Sequence, residues 1–307
     1  MDVESPRISE SPRSCYERIF MNNYCIITDS GSDLTKELAS ELDVTVLDLT
    51  VLVEGKEPQR DSAVDIKEFY SELRAQKNAT TSALNIDDFS SAFEAALSEG
   101  KDILYLGFST GLSSTYSAGK VAAEEMAEKY PERKIYTVDT LCASLGQGLM
   151  VYLAAKKRMA GESIEAVRDF VEASKLNLCH QFTVEDLFFL HRGGRVSKTT
   201  AVVGTMLKIK PVLHVDNAGK LIKVGTARGR KASLAALFDK TKETIINPTE
   251  QVMFICHGDC EDEAKALAER FKTELGVQDV IIGYTGAVIG SHSGPGTMAV
   301  FYLGTER

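Results

Sequence analysis

Apolar and polar positions along the first half of the chain switch repeatedly between strand-like and helix-like spacing. Cys25–Thr28 is a short apolar run closed by Asp29-Ser30-Gly31-Ser32-Asp33, and it predicts a strand. Leu34–Leu42 has helical spacing, while Val44–Val53, rich in Val, Leu and Thr, reads as extended. Asp65–Gln76 and Ile86–Leu97 read as amphipathic helices, the second with Asp87 and Asp88 favouring its first turn. A strand over Ile103–Phe108, a helix over Thr115–Lys129, a strand over Ile135–Val138 and a long helix over Ala143–Ala160 follow. Strands alternating with helices predict a mostly parallel sheet.

The pattern changes after a helix expected over Ser163–Ser174. Pro211–Val215 and Lys220–Lys223 flank Asp216-Asn217-Ala218-Gly219, a hairpin signal. Helices over Ser233–Ile246 and Asp262–Leu275, with strands over Gln251–Cys256 and Val277–Ile282, complete a mixed second half. The expected fold class is α/β in two domains. Residues 23–170 form a Rossmann-like parallel sheet and residues 171–307 a mixed α/β unit. Residues 1–22 begin with a stretch rich in Ser, Pro, Glu and Arg, and read as a flexible extension.

Composition narrows the function. A net charge of −9 argues against general affinity for nucleic acid or anionic lipid. No apolar run is long enough to span a membrane. Six irregularly spaced cysteines suggest reduced thiols rather than a disulfide scaffold. Asp2 and Glu4 stand where a signal peptide carries basic residues, so a cytoplasmic protein is expected. The charge is unevenly spread. Residues 192–231 hold ten Lys or Arg (192, 195, 198, 208, 210, 220, 223, 228, 230, 231) and one acid, Asp216. That segment is +9 and the rest of the chain −18. Such a tract suits an anionic ligand or acidic partner, or is a solvated face.

Four segments are candidates for chemistry. Thr80-Thr81-Ser82 and Ser109-Thr110-Gly111-Leu112-Ser113-Ser114-Thr115 are hydroxyl-rich turns, and the second joins a strand to a helix N-terminus, a natural anion site. Gly290-Ser291-His292-Ser293-Gly294-Pro295-Gly296 reads as a constrained loop around one histidine. Arg192-Gly193-Gly194-Arg195 places two guanidinium groups beside glycines, suited to a phosphate or a partner's acids. Gly107-Phe108-Ser109-Thr110-Gly111 also fits the nucleophile elbow G-x-S-x-G. Ser109, Asp139 and His257 or His292 follow in triad order, which keeps a serine hydrolase of acyl esters as the alternative. No metal is expected. Cys256-His257-Gly258-Asp259-Cys260 lacks a second ligand pair, and Asp29 and Asp33 read as caps of the following helix.

Together these motifs resemble the DegV family of bacterial fatty-acid-binding proteins, carriers for fatty acid kinase. The resemblance runs from about Tyr24 to the C-terminus. It is carried by Ile27-Thr28-Asp29-Ser30 with Asp33-Leu34, Thr81-Ser82, Leu112–Tyr116, His191–Arg195 and, most specifically, Gly290–Gly296. The resemblance implies a long-chain fatty acid buried between the domains, with no other cofactor and no catalysis by the chain itself. It implies that the carboxylate meets Thr81, Ser82, Ser113, Ser114 and His292. Arg192 and Arg195 would lie near the mouth, where the kinase phosphorylates the carboxylate to an acyl phosphate. The chain departs from the family pattern at Ala83-Leu84-Asn85, commonly Gln-Pro-Ser, and at Ser114, usually Gly.

Overall fold

The computed structural model describes residues 23–197 and 209–307. The first half runs β1 (Tyr24–Asp29), α1 (Lys36–Glu41), β2 (Val44–Leu47), β3 (Thr50–Val53), β4 (Gln59–Arg60), α2 (Ile66–Arg74), β5 (Ala79–Ser82), α3 (Ile86–Ser98), β6 (Asp102–Gly107), α4 (Thr115–Lys129), β7 (Ile135–Asp139), α5 (Leu145–Met159) and α6 (Ile164–Ser174). The second half runs β8 (Leu178–Thr183), α7 (Leu187–Arg192), β9 (Ile209–Val215), β10 (Leu221–Arg228), α8 (Arg230–Thr244), β11 (Val252–His257), α9 (Glu261–Arg270), β12 (Asp279–Tyr284), α10 (Ala287–Ser293) and β13 (Met298–Leu303).

Strands β2-β1-β6-β7 form a four-stranded parallel sheet. Strands β10-β9-β8-β13-β11-β12 form a six-stranded sheet whose only parallel pair among the described residues is β11 with β12. The α/β fold class is therefore as expected. Val44–Val53 is not one extended run. It splits at Asp48-Leu49, so that β2 joins the parallel sheet while β3 pairs with β4 and β5 in a small antiparallel sheet.

Pleating explains why both sheets are covered on two faces. Tyr24, Ile26, Leu104 and Leu106 face one core, and Ile27, Ile103 and Tyr105 face the other. The second group packs on Phe89 and Phe93 of α3 and Ala122 and Met126 of α4. The first shares a core with Leu149, Met150 and Ala154 of α5, and with Phe182 and Phe301 of the six-stranded sheet. Helix α5 thus lies between the two sheets, with its first seven residues wholly buried and its basic last turn reaching the surface. The far face of the six-stranded sheet is sealed by Leu237 and Phe238 of α8 and by Leu267 of α9.

Local chemistry sets the helix starts. Asp65 accepts from the Lys67 and Glu68 amides at α2, and Ser163 accepts from Ala166 at α6. Asn85 and Asp88 form a capping box on α3, which gives the Asn85 departure a structural use. Asp29 and Asp33 do not cap α1. Thr35 does, while Asp29 caps the short 3-10 turn Ser30–Ser32.

Gly146, in the first turn of α5, faces His180. A Cβ there would stand 2.2 Å from the His180 Nε2. The ring is fixed by the Ala143 amide on Nε2, the Leu178 carbonyl at Nδ1 and edge-on contact with Phe301. Gly146→Ala is expected to destabilise the fold by about 1–3 kcal/mol, seen as a lower midpoint in denaturant unfolding. An unchanged midpoint would show that the α5–β8 packing is loose.

Candidate functional site

A cavity of about 280 Å³ opens between the sheets, beside the start of α5. Its wall collects residues from strand ends and the loops that follow them: Phe108 after β6, Phe182 at the end of β8, Cys256 in β11 and Thr285 after β12. This is where open α/β folds gather their ligands. Most of the lining is apolar. Thr81, Ser113, Ser114, Arg195 and His292 form a polar group that is half-buried or exposed. A neighbouring vestibule of about 360 Å³ shares Thr81, Arg195 and His292, so this polar group marks the mouth.

Three elements bring the mouth together. Strand β5 presents Thr81, whose Oγ1 lies 2.8 Å from His292 Nε2. His292 stands in the last turn of α10, so the expected loop around it is a helix up to Ser293. The ring packs against Gly193, where a Cβ would lie 2.2 Å from His292 Nδ1. That close approach explains a glycine between Arg192 and Arg195. Burial and the neighbouring Arg195 charge pull the His292 pKa down to about 4, so the ring is neutral near pH 7.

The loop after β6 supplies the hydroxyls. The Asp29 carboxylate fixes it by accepting from the Phe108 amide at 3.0 Å and from Tyr105 at 2.9 Å. Burial raises the Asp29 pKa to about 6, and these donors oppose the shift. Ser113 Oγ accepts from the Thr115 amide and lies 2.9 Å from Thr115 Oγ1. When Thr115 donates, the Ser113 proton is free to point into the cavity. Ser114 begins α4 without a side-chain capping bond, leaving its hydroxyl at the mouth. The positive end of this 15-residue helix favours an anion there.

Arg195 is half-buried. It donates from Nε to the Leu112 carbonyl at 3.2 Å and from Nη1 to the Gly193 carbonyl. Among the described residues no acid pairs with it. Arg192 lies outside the cavity, in the vestibule. It donates to Asn78 Oδ1 at 2.7 Å and stacks on the Phe189 ring.

Other candidates are placed elsewhere. Ser82 is exposed and absent from the cavity wall, because alternation along β5 turns Ala79 and Thr81 inward and Ser82 away. Ser109 is no elbow nucleophile. It is fully buried, and its Oγ donates to the Gly219 carbonyl at 2.8 Å and accepts from the Gly111 amide. Asp139 accepts from Thr110, His257 Nδ1 accepts from the Cys260 amide, and His292 meets Thr81. No histidine therefore serves Ser109. No three His, Cys, Asp or Glu side chains among the described residues are grouped to hold a metal. The basic tract disperses. Arg230 pairs with Glu263, Lys210 reaches Glu185, and Lys198 and Lys208 lie outside the described residues. No helix among the described residues is long and apolar enough to cross a membrane.

Sequence reasoning missed the rest of the wall. Phe182 and Phe301 come from β8 and β13, and Ser144 and Thr285 from corners between elements. The run Met298–Leu303, bounded by Gly-Pro-Gly-Thr, did signal a buried strand.

The profile of a family described as an uncharacterised protein, DegV family, matches residues 23–305. A DegV domain-containing protein of Clostridium perfringens is 46% identical over 94% of this chain and 99% of its own length. A DegV family protein of Thermus thermophilus, its structure described in terms of fatty acid binding, is 33% identical. It has a TM-score of 0.83 over 92% of this chain and 99% of that one. A DegV lipid binding protein of Thermotoga maritima is 29% identical, with a TM-score of 0.81 over 93% and 99%.

The mouth carries its own test. In NMR titration the His292 ring is expected to protonate near pH 4, and at higher pH in Arg195→Gln, while burial still holds it below 6.5. Its folded pKa lies below the unfolded value. The stability it contributes is thus full above about pH 6.5 and lost as pH falls towards 4. A wild-type midpoint near 6.5 would contradict the packing described.

Proposed function

Because the chain belongs to the DegV family, we propose that it binds a long-chain fatty acid in this cavity. It presents the carboxylate to a fatty acid kinase, which converts it to an acyl phosphate. The observation that carries the reading is the division of one cavity into an apolar interior and a mouth of hydroxyls, a neutral histidine and an unpaired guanidinium. The similarity to fatty-acid-binding and lipid-binding DegV structures supports it.

The chemistry follows from the donors. A carboxylate seated at the mouth accepts from Thr81 and Ser113, with Ser114 beside them. With its proton on Nε2, His292 donates to Thr81 Oγ1 and leaves the Thr81 proton for the ligand. Arg195 offsets the ligand's charge. Such an environment keeps the acid ionised, the form in which its oxygen can accept a phosphoryl group. The tail supplies most of the affinity, at about 0.8 kcal/mol per buried CH₂. Arg192 and Arg195 flank the vestibule, where the transferred phosphate and the kinase surface meet the head group. The chain acts as a carrier and the kinase supplies the catalysis.

Denaturing extraction and mass spectrometry of the purified protein should release about one long-chain fatty acid per chain. A protein that stays empty after incubation with mixed fatty acids would refute the proposal. In binding titrations Thr81→Ala and Ser113→Ala should each cost about 1–3 kcal/mol, the range for hydrogen bonds to a charged group. Arg195→Ala should lower kinase turnover more than acid affinity. A larger loss of affinity would make Arg195 chiefly the ligand's counter-charge rather than a contact for the kinase.

A further inference from the structure

The cavity has a second polar cluster, remote from its mouth. Thr285, Cys256 and Ser144 all line the wall and are 0%, 1% and 5% exposed. Ser144 Oγ donates to Asp33 and lies 3.2 Å from the Cys256 sulfur. Thr285 Oγ1 neighbours the same thiol. It makes no hydrogen bond of standard geometry, although it is wholly removed from solvent. A thiol is a weak partner for a hydroxyl.

Unmet buried hydroxyls are uncommon, and this chain usually avoids them. Thr28 donates to the Leu106 carbonyl, Thr140 to Gly107, Thr183 to Pro211 and Thr241 to Leu237. Thr285 instead gives its own carbonyl to Tyr70 and leaves its hydroxyl on the cavity wall.

Helix α10 supplies the scale. Thr285 precedes it and His292 lies in its last turn, with Val288 and Ile289 lining the cavity between them. Five steps of helical rise from Ala287 to His292, with the extended Gly286 before them, put the two roughly 8–14 Å apart. An extended hydrocarbon zigzag of about 1.5 Å bonds advances roughly 1.3 Å per carbon. The Thr285 cluster therefore meets an acyl chain near its middle, between roughly the sixth and eleventh carbons.

We propose that Thr285, with Cys256 and Ser144, forms a second polar subsite that takes a hydroxyl group carried mid-chain on a fatty acid. The proposal rests on the fatty-acid reading of the cavity. It assigns a chemical class of ligand, the mid-chain oxygenated acids, that the mouth alone does not select.

The test compares octadecanoic, 10-hydroxyoctadecanoic and 17-hydroxyoctadecanoic acids in binding titrations. The two hydroxy acids lose the same hydration, so their ratio isolates position. Wild-type protein is expected to favour the 10-hydroxy isomer by about three- to tenfold, the worth of one net hydrogen bond. Thr285→Val should remove most of that preference and Thr285→Ser retain it. Equal affinities for the two isomers, or a preference untouched by Thr285→Val, would overturn the subsite. Should the valine variant not fold, the wild-type ratio decides. Binding of octadecanoic acid with rejection of both hydroxy acids would overturn the subsite and leave the carrier reading standing. If no acid binds, both fall.

Discussion

The site exists because one helix begins in the buried space between two sheets, its first seven residues enclosed on all sides. Helix α5 separates the sheets along its length, and the cavity occupies the corner just before it begins. Ser144 makes that corner. Its backbone sits at φ 54° and ψ −150°, a conformation that costs a non-glycine residue on the order of 1–3 kcal/mol. The surroundings hold it there. Its amide donates to the Gly31 carbonyl at 2.7 Å, and its hydroxyl bridges Asp33 and Cys256. The turn after β1, the start of α5 and β11 are thereby tied together at the cavity wall. Phe108 and Phe301 close in from either sheet without filling the space.

Burial then sets the sign of the mouth. Low polarity pushes each ionisable group towards its neutral form. It lowers His292 to about 4. Arg195 cannot follow, since a guanidinium stays charged in any protein environment. Removing water therefore leaves the Arg195 charge among neutral donors at the cavity mouth, with Arg192 outside it in the vestibule. The helix α4 terminus adds to it in the same direction. This polarity comes from the immediate contacts, and it holds at a net charge of −9.

Much of this architecture was legible in the sequence. Helix α4 begins at Thr115 and ends at Lys129, as its periodicity predicts, and the Asp216–Gly219 turn does join two antiparallel strands. Strand β13 escaped although its apolar run was there to read, whereas β8 and β5 carry no such signal. Strand β8 is buried at all six positions and carries His180 and Gln181 there, so neither alternation nor an apolar run announces it. Strand β5 is four residues of Ala, Thr and Ser, and its partner β3 looks continuous with β2 until the chain changes sheet. At the mouth, Thr81, Ser113, Ser114, His292 and Arg195 come together from motifs far apart in the chain. Ser82 fell on the wrong side of a pleat, and Ser109 in a motif that the fold uses for a different bond. Which leucines and phenylalanines face the cavity depends on how two sheets stack, and no local pattern encodes that.

Hydrogen-bond saturation separates the hydroxyls that build this protein from those free to meet a ligand. Ser109 is the clearest builder. Its donor is spent on Gly219 at the tip of the β9–β10 hairpin, tying that hairpin to the loop after β6. Val215 and Leu221, on the two strands of the hairpin, consequently line the cavity. Thr110 is spent on Asp139 and Thr140 on Gly107 in the same way, so the loop keeps its shape without a ligand. Ser114 lacks a capping bond, Thr285 and Ser293 make no hydrogen bond of standard geometry, and all three line the cavity. A sequence motif cannot distinguish these two groups, because both are serines and threonines beside strand ends and helix starts. The distinction appears only when each donor is followed to its acceptor. Followed that way, G-x-S-x-G is a clasp, and Ser114, Thr285 and Ser293 are left open on one cavity, while the unpartnered Ser32 hydroxyl lies off its wall.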